Sequence, residues 1–358
     1  MLDDSTGFLT DIWYLGLPAA QLKPGKPVRK IIMGQPILFA RDAGGRAFAL
    51  RDICPHRGIP LSYGRMVGAG DEVECPYHGW RFGPEGRCTA IPSLVSGQEM
   101  DISKIRVRRY PVRERNGLVW VFIASGPVDG PALAETGEPD FGPPEVPGAG
   151  EASPNFTYVV TFECHLDNTI IGLMDPAHGP YVHQSWYWRT SKSTYEKEKT
   201  FAPVERGWVM KSHPPSSNSF AYKVLGGKPV TEIVFRIPGV RTEYIRVGKR
   251  FVTSLTVVTP VDEKTTEVTQ LLYWDHPVLK VFKPLMAAFS KAFLNQDRAI
   301  IRKQNEGLKF NPRLMLIPDA DTQAKWYFRM KKNWIDAGGD PSRFDNPVKG
   351  ETTLRWKS

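Results

Sequence analysis

The apolar residues change period along the chain. From about residue 28 to 125 they come in short β-type runs, QPILFAR, AFALRDI, RVRRYPVRE and GLVWVFIA, broken by Gly, Pro and Asp. Runs of this length between turn residues read as strands. RDAGGRAFAL, with Gly-Gly between two runs, reads as a hairpin. Residues 1–125 are therefore predicted to form an all-β domain. Residues 126–154 are rich in Pro and Gly and lack apolar periodicity, which predicts a linker or a long surface connection.

Beyond residue 155 the two periods mix. NFTYVVTFEC (155–164) reads as a strand, and HLDNTIIGLMDPAH (165–178) as a helix ended by Gly179-Pro180. TEIVFRI, RFVTSLTVVTP and TEVTQLLYW are strand-like runs within 201–275. An amphipathic helix is predicted from 281 to about 306, and a last helix over about 321–337. Successive strands flanked by helices predict an α+β domain with an antiparallel sheet over 155–358. A chain of 358 residues is long enough for two such domains.

No apolar run is long enough to span a bilayer, and the acidic N-terminus does not resemble a signal peptide, so a cytoplasmic protein is expected. The net charge of +9 is spread along the chain, densest in RVRRYPVRER (106–115) and RMKKNW (329–334). A solvated basic surface explains it better than nucleic-acid binding, and such a surface also suits docking of an acidic protein.

The four cysteines are too few for a disulfide framework. Two of them stand beside histidines: CPHRG and CPYHGW place Cys54, His56, Cys75 and His78 in two pincers with eighteen residues between His56 and Cys75. A structural zinc site could use two Cys and two His, but zinc fingers pair like with like and put their histidines on a helix. Here each pincer holds one Cys and one His, and each follows a β-run. That pattern fits a [2Fe-2S] cluster with both thiolates on one iron and both imidazoles on the other. Gly58 and Gly79 would let the backbone approach the cluster closely. Cys88 and Cys164 lack partners at ligand spacing and read as buried apolar residues. His165 and His213 read as structural or surface residues.

A second constellation lies in DPAHGPYVH (175–183). His178 and His183, five apart, would not share a face of one helix, but a break at Gly179-Pro180 could bring them together. A mononuclear iron of the 2-His-1-carboxylate kind also needs an acid. Asp297 lies on the apolar stripe Met286, Phe289, Phe293, Ile300 and Ile301 of the predicted long helix, where a buried carboxylate requires a compensating charge or metal. Asp275, beside His276, is a rival. Gln304, further along the stripe, could hold Asp297 by a hydrogen bond. Trp186, Tyr187 and Trp188 could line a channel.

CPHRG…CPYHGW resembles the cluster motif of the Rieske non-heme iron oxygenases. Ile59 and Tyr77 stand where the respiratory Rieske proteins carry disulfide cysteines. The spacer is slightly longer than is usual in the oxygenases. That family also has a D-x2-H-x4-H segment and a later helical Asp, matched here by Asp175, His178, His183 and Asp297. The resemblance implies a Rieske domain followed by a helix-grip (START-like) catalytic domain, one [2Fe-2S] cluster and one Fe(II). It implies that Asp175 bridges His78 of a neighbouring subunit to His178, and hence a homotrimer. The family's Asn one helical turn before that Asp is missing; Asn168 is the nearest, and either the helix carries an insertion or Ile171 takes its place.

The expected activity is oxygen insertion from O2 into an aromatic or otherwise apolar substrate by an oxygenase component, including N- or O-demethylation. No G-x-G-x-x-G turn follows a strand, so NAD(P)H should act through a separate reductase or ferredoxin. A cis-dihydroxylating dioxygenase and a Rieske electron carrier are the alternatives. No substrate-anchoring residue is identified by the sequence.

Overall fold

A computed structural model describes residues 7–129, 137–183, 194–215, 227–275 and 277–358. Trp186, Tyr187 and Trp188 lie outside the described residues, as does His276. The chain divides into two compact units.

The first unit comprises Thr10–Glu145 and Glu151–Ser153. Its strands are β1 (Ile12–Pro18), β2 (Val28–Ile32), β3 (Gln35–Arg41), β4 (Ala47–Arg51), β5 (Arg65–Val67) and β6 (Glu72–Glu74). They are followed by β7 (Arg81–Phe82), β8 (Cys88–Ala90), β9 (Arg109–Tyr110), β10 (Val112–Arg115) and β11 (Leu118–Ile123). They form three antiparallel sheets, β1-β11-β10, β2-β3-β4-β9 and β5-β6-β7-β8. β11 is central in its sheet, and all six of its residues are buried, as a strand covered on both faces requires. The predicted hairpin is β3–β4. Asp42 closes its turn by accepting from the Arg46 N–H at 2.8 Å, with Gly45 at φ +80°.

The described part of the Pro/Gly-rich segment is tied down. Phe141 O accepts from Trp13 Nε1 at 2.8 Å, and Pro139 O and Pro143 O each accept from an arginine, Arg113 and Arg115. Main-chain carbonyls do this anchoring, so apolar periodicity could not reveal it. Val146–Gly150 belongs to the second unit, where Pro147 O accepts from Thr253 Oγ1 at 2.6 Å.

The second unit holds an antiparallel sheet of eight strands, in the order β12-β18-β17-β16-β15-β14-β13-β19. These are β12 (Phe156–Phe162), β13 (Glu196–Val204), β14 (Gly207–His213), β15 (Val230–Arg236), β16 (Val240–Val247), β17 (Arg250–Asp262), β18 (Thr265–Trp274) and β19 (Thr352–Lys357). β19 pairs with β13, an edge contact not expected from the sequence. The helices are α1 (Leu166–Met174), α2 (Gly179–Val182), α3 (Pro277–Val281), α4 (Lys283–Leu308) and α5 (Thr322–Asp336). Leu294 and Ile301 of α4 pack with Val160, Phe162 and Val268 of the sheet.

Two expectations change here. The helix predicted over 165–178 ends at Met174, because Pro176 forces Asp175 out of helical geometry, to φ −60° and ψ 118°. Gly179-Pro180 begins the next helix, with Pro180 in its first turn. The apolar stripe of α4 splits as well. Ser290, Leu294, Asp297 and Ile301 are buried, Met286, Phe289 and Phe293 line a cavity, and Ile300 is exposed.

Candidate metal centres

The two pincers of the first unit are the loops after β4 and between β6 and β7. They share one hydrogen-bond pattern. Cys54 N–H donates to Ile59 O at 2.9 Å and Gly58 N–H to Cys54 O at 2.9 Å; Cys75 N–H donates to Trp80 O at 2.8 Å and Gly79 N–H to Cys75 O at 3.1 Å. Gly58 and Gly79 sit at φ +71° and +73°, a left-handed conformation that side chains disfavour. Beneath the first loop, the fully buried Asp52 accepts from Ser62 N–H at 2.7 Å and Ser62 Oγ–H at 2.6 Å.

Both thiols are buried among Leu50, Leu61, Val73 and Phe82. Burial pushes the Cys54 thiol up to about 11, and contact with Cys75 adds to the rise. The histidines face outward: His56 is exposed, and His78 lies 4.6 Å from it, centroid to centroid. His56 also stacks on Trp80 at 4.8 Å and 4°. Buried sulfurs and outward imidazoles suit a cluster with one inner and one outer iron. A tetrahedral zinc, with bonds of about 2.0–2.3 Å, would draw its donors close together. No three of Cys54, His56, Cys75 and His78 bring ligand atoms within 4.8 Å of one another. Ile59 and Tyr77 stand beside the pincer ligands, and all four cysteines are free.

Such a convergence occurs, among the described residues, at His178, His183 and Asp297. His178 caps the start of α2 and His183 its end, so one helical turn brings the two imidazoles together. Asp297 arrives from the buried face of α4. His178 Nε2 and His183 Nε2 are 3.1 Å apart, and Asp297 Oδ1 lies 3.6 and 3.1 Å from them. His178 Nδ1–H donates to Asp175 O at 2.7 Å, and His183 Nδ1–H to Gln296 Oε1 at 3.0 Å. With the protons on Nδ1, both Nε2 lone pairs face each other and a carboxylate oxygen. Three lone pairs meet there with no proton between them. Asp297 Oδ2 is also buried without a hydrogen-bond partner. A divalent cation resolves both features, so these residues fit the iron of the 2-His-1-carboxylate class. Phe293, one turn before Asp297, stacks on His183 at 3.7 Å and 16° and fixes its ring.

The remaining candidates separate. Asp175 Oδ1 accepts from Ala177 N–H at 2.7 Å, while Oδ2 stays 3.8 Å from His178 Nδ1. Asp175 therefore orients His178 through its main-chain carbonyl, and its carboxylate does not share a helical face with that histidine. Burial lifts the Asp175 carboxyl above its ordinary value against the pull of Ala177 and His178, and Asp321 adds to the rise. Gln304 does not hold Asp297, since Oδ2 is unpartnered. Gln296 is the amide at the site, and sequence reasoning missed it because nothing distinguishes it from a solvated helix residue. Asn168 is half-buried on α1, and Ile171 stands one turn before Asp175, its carbonyl accepting from Asp175 N–H at 3.1 Å. Asp275 caps the β17–β18 pair by accepting from Phe251 N–H at 2.8 Å. His165 caps α1 and stacks on Phe8. Cys88 and Cys164 are buried, and His213 lies on the cavity wall.

The triad opens on a cavity of about 850 Å³ walled by Leu173, Met174, Leu285, Met286, Phe289 and Phe293. That size suits a small-molecule site. The fold and these sites define an iron-sulfur oxygenase with a second, mononuclear metal centre. Comparison agrees: the Rieske [2Fe-2S] domain family matches residues 12–111, and the vanillate O-demethylase oxygenase C-terminal domain matches 162–337. The chain belongs to the Rieske non-heme iron oxygenases, which carry a [2Fe-2S] cluster and a mononuclear iron.

A 4beta-methylsterol monooxygenase of Methylococcus capsulatus is 28% identical over 336 residues, 86% of this chain and 84% of the relative. The oxygenase component of dicamba O-demethylase from Stenotrophomonas maltophilia is 35% identical over 179 residues, 50% of this chain and 48% of the relative. Crystalline dicamba monooxygenase bound to dicamba has the same fold, with a TM-score of 0.68 at 21% identity over 91% of this chain and 98% of that one. No described helix is long and apolar enough to cross a membrane.

Proposed function

We propose that the chain is the oxygenase component of a multicomponent monooxygenase that hydroxylates an apolar substrate, with oxidative N- or O-demethylation as the favoured outcome. The observation that carries this reading is the convergence of His178, His183 and Asp297 on the wall of an apolar cavity. A Rieske electron carrier has no use for such a convergence. The relatives named as a demethylase and as a methylsterol monooxygenase support the monooxygenase branch over cis-dihydroxylation.

In this reading Cys54, Cys75, His56 and His78 hold the cluster, and His178, His183 and Asp297 hold the iron. Iron at the triad supplies O2 activation when bound. The chain's own residues do the rest. Asp175 O and Gln296 keep the protons on Nδ1, and so keep both Nε2 atoms available as ligands. Phe293 and Phe289 line the cavity beside the triad, where they would exclude water and hold the substrate. Hydroxylation of a methyl group on nitrogen or oxygen uses O2, two electrons and two protons, and releases one water. The resulting carbinol then loses formaldehyde, its proton returning to the heteroatom. The electrons come singly from NAD(P)H through a separate reductase or an acidic ferredoxin.

Asp175 is assigned the bridge to His78 of the next copy in a homotrimer. Its side chain is one-third exposed, and Oδ2 is not taken up by His178. Iron and sulfide analysis tests the whole reading. Three irons per two sulfides are expected, and two per two would leave only a carrier. Formaldehyde release from aryl methyl ethers and N-methyl compounds tests the outcome.

A further inference from the structure

The rim of the cavity exposes a group of apolar side chains. Met286 N–H donates to Phe282 O at 3.0 Å, so the link from α3 to α4 is itself a helical turn. Val281, beside that turn, is 78% exposed and does not line the cavity, so it faces outward. Phe282 and Leu285 are 44% and 61% exposed and also line the cavity, which places them on its rim. Leu279 and Met286 tie this corner to the sheet by packing with Ile245, Val247 and Val252. Apolar residues exposed together in one patch mark an interaction site.

Cations surround this patch. Lys280 and Lys283 flank Val281 and Phe282 in sequence. Arg246, Lys249 and Arg250 stand at the turn between β16 and β17, whose Val247 belongs to the same packed cluster. Lys228 precedes β15 beside that turn, since Val230 is the register partner of Arg246. All six cations are exposed. The one acid within residues 227–230, 244–251 and 275–296 is Asp275. Its main-chain carbonyl accepts from Arg250 Nη1–H at 3.2 Å, and its carboxylate lies 3.7 Å from the same atom. Among the described residues, none of the other five cations has an ion-pair partner. The next acids along the strands lie further into the sheet, where Glu232 accepts from Ser212 Oγ–H at 3.3 Å and Glu243 from Arg241 Nη2–H at 3.2 Å.

We propose that this face docks on an anionic lipid surface, with the rim of the cavity turned toward the bilayer. Val281, Phe282 and Leu285 enter the interfacial layer, and the lysines and arginines around them pair with lipid phosphates, as in a helix that lies on a membrane. Charge favours this occupant over a second copy, because a two-fold contact would set the same cations against one another. A folded acidic partner seated here would cover the rim, whereas a bilayer can hand an apolar molecule to it. The inference deepens the oxygenase reading and rests on it for the identity of the cavity. The substrate class then becomes molecules that dissolve in lipid. The docking itself needs neither metal.

The test is flotation of the full, metal-loaded chain with vesicles of phosphatidylcholine alone, or of phosphatidylcholine and phosphatidylglycerol in equal parts. The wild type should bind the anionic vesicles more tightly than the neutral ones by about tenfold or more. Raising the salt from about 0.1 to about 0.5 M should weaken that binding. Val281→Asp and Lys283→Glu should each weaken it by about fivefold or more. Lys303→Glu makes the same charge change about 30 Å further along α4 and should alter binding by less than about twofold. A polarity-sensitive fluorophore on Val281→Cys should shift to the blue on anionic vesicles; the four native cysteines are buried and leave the new one to take the label. No binding, equal binding to both vesicles, or an equal loss in Lys303→Glu overturns the proposal. So does a Val281→Asp variant that binds vesicles normally and changes its oligomeric state instead, which would make the face a contact between copies. The wild-type comparison stands even if a variant does not fold. Metal analysis of the same samples separates the two ideas: three irons per two sulfides without vesicle binding sinks only the docking, and vesicle binding without a third iron sinks only the oxygenase.

Discussion

The cluster loops and the triad solve one problem, holding metal donors in place, by different means. Cys54, His56, Cys75 and His78 fall within 25 consecutive residues. Their two loops are closed by their own main chain, with matching bonds at Cys54 and Cys75 and a left-handed glycine in each. The triad joins residues 119 positions apart, and its geometry depends on α2 and α4 packing in the same unit. The loops put their imidazoles outward, where electrons can enter and leave. The triad is more enclosed, with His183 3% and Asp297 7% exposed and His178 part-buried, where water can be excluded. A local site tolerates change elsewhere in the fold, whereas a site assembled from distant segments inherits every error in their packing.

The largest effect should come from removing the residue that crosses the sequence gap. Asp297→Ala should release the mononuclear iron, lowering iron from three to two per chain, and should reduce product formation by more than about 10³-fold. The cluster's visible and electron paramagnetic resonance spectra should not change. Loss of those spectra would show that the two sites are not separable. Cys75→Ser is the mirror experiment, expected to abolish the spectra and leave iron at the triad.

The next effect concerns Asp175. Its carbonyl, not its carboxylate, orients His178. Asp175→Asn keeps that carbonyl, so both metals should stay bound while turnover falls by about 10²-fold or more as the proposed bridge to the next copy's His78 is lost. Single-turnover reduction of the triad iron by a pre-reduced cluster reads the step directly. A near-normal rate would remove the bridge and leave Asp175 a backbone part only.

The same contrast explains what could be read from the sequence. The cluster was legible because its chemistry is local: two Cys-His pincers, two glycines and the β-runs before them sit in one short stretch. His178, His183 and Asp297 were legible only in part. The spacing of the histidines is weak by itself, and what unites them is not a break at Gly179-Pro180 but the single turn of α2, which starts after the chain has already broken at Asp175-Pro176. Asp297 could be found because a carboxylate on an apolar helix stripe needs a reason. The anchoring of residues 139–143 and the pairing of β19 with β13 were not legible. The first works through backbone carbonyls that any residue could supply, and the second is a strand pairing between segments more than 150 residues apart.

The smallest effects separate two glutamines on α4. The apolar stripe favours Gln304 as the support for Asp297, while the structure puts Gln296 against His183 Nδ1 at 3.0 Å and leaves Asp297 Oδ2 without a hydrogen-bond partner. Loss of such an outer partner of a metal-bound histidine costs about 10–100-fold in metal affinity. Gln296→Leu should therefore weaken iron binding by that factor, seen as faster loss of the third iron to a chelator, with the cluster unaffected. Gln296→Glu should restore most of it, since a carboxylate also accepts from Nδ1–H. Gln304→Leu should change iron retention by less than about twofold, because residue 304 is two helical turns beyond the ligand, about 10 Å along the axis. If Gln304→Leu released iron as readily as Gln296→Leu, the carboxylate of Asp297 would be held from the far end of α4. The triad would then depend on a longer stretch of that helix than the turn carrying Phe293, Gln296 and Asp297.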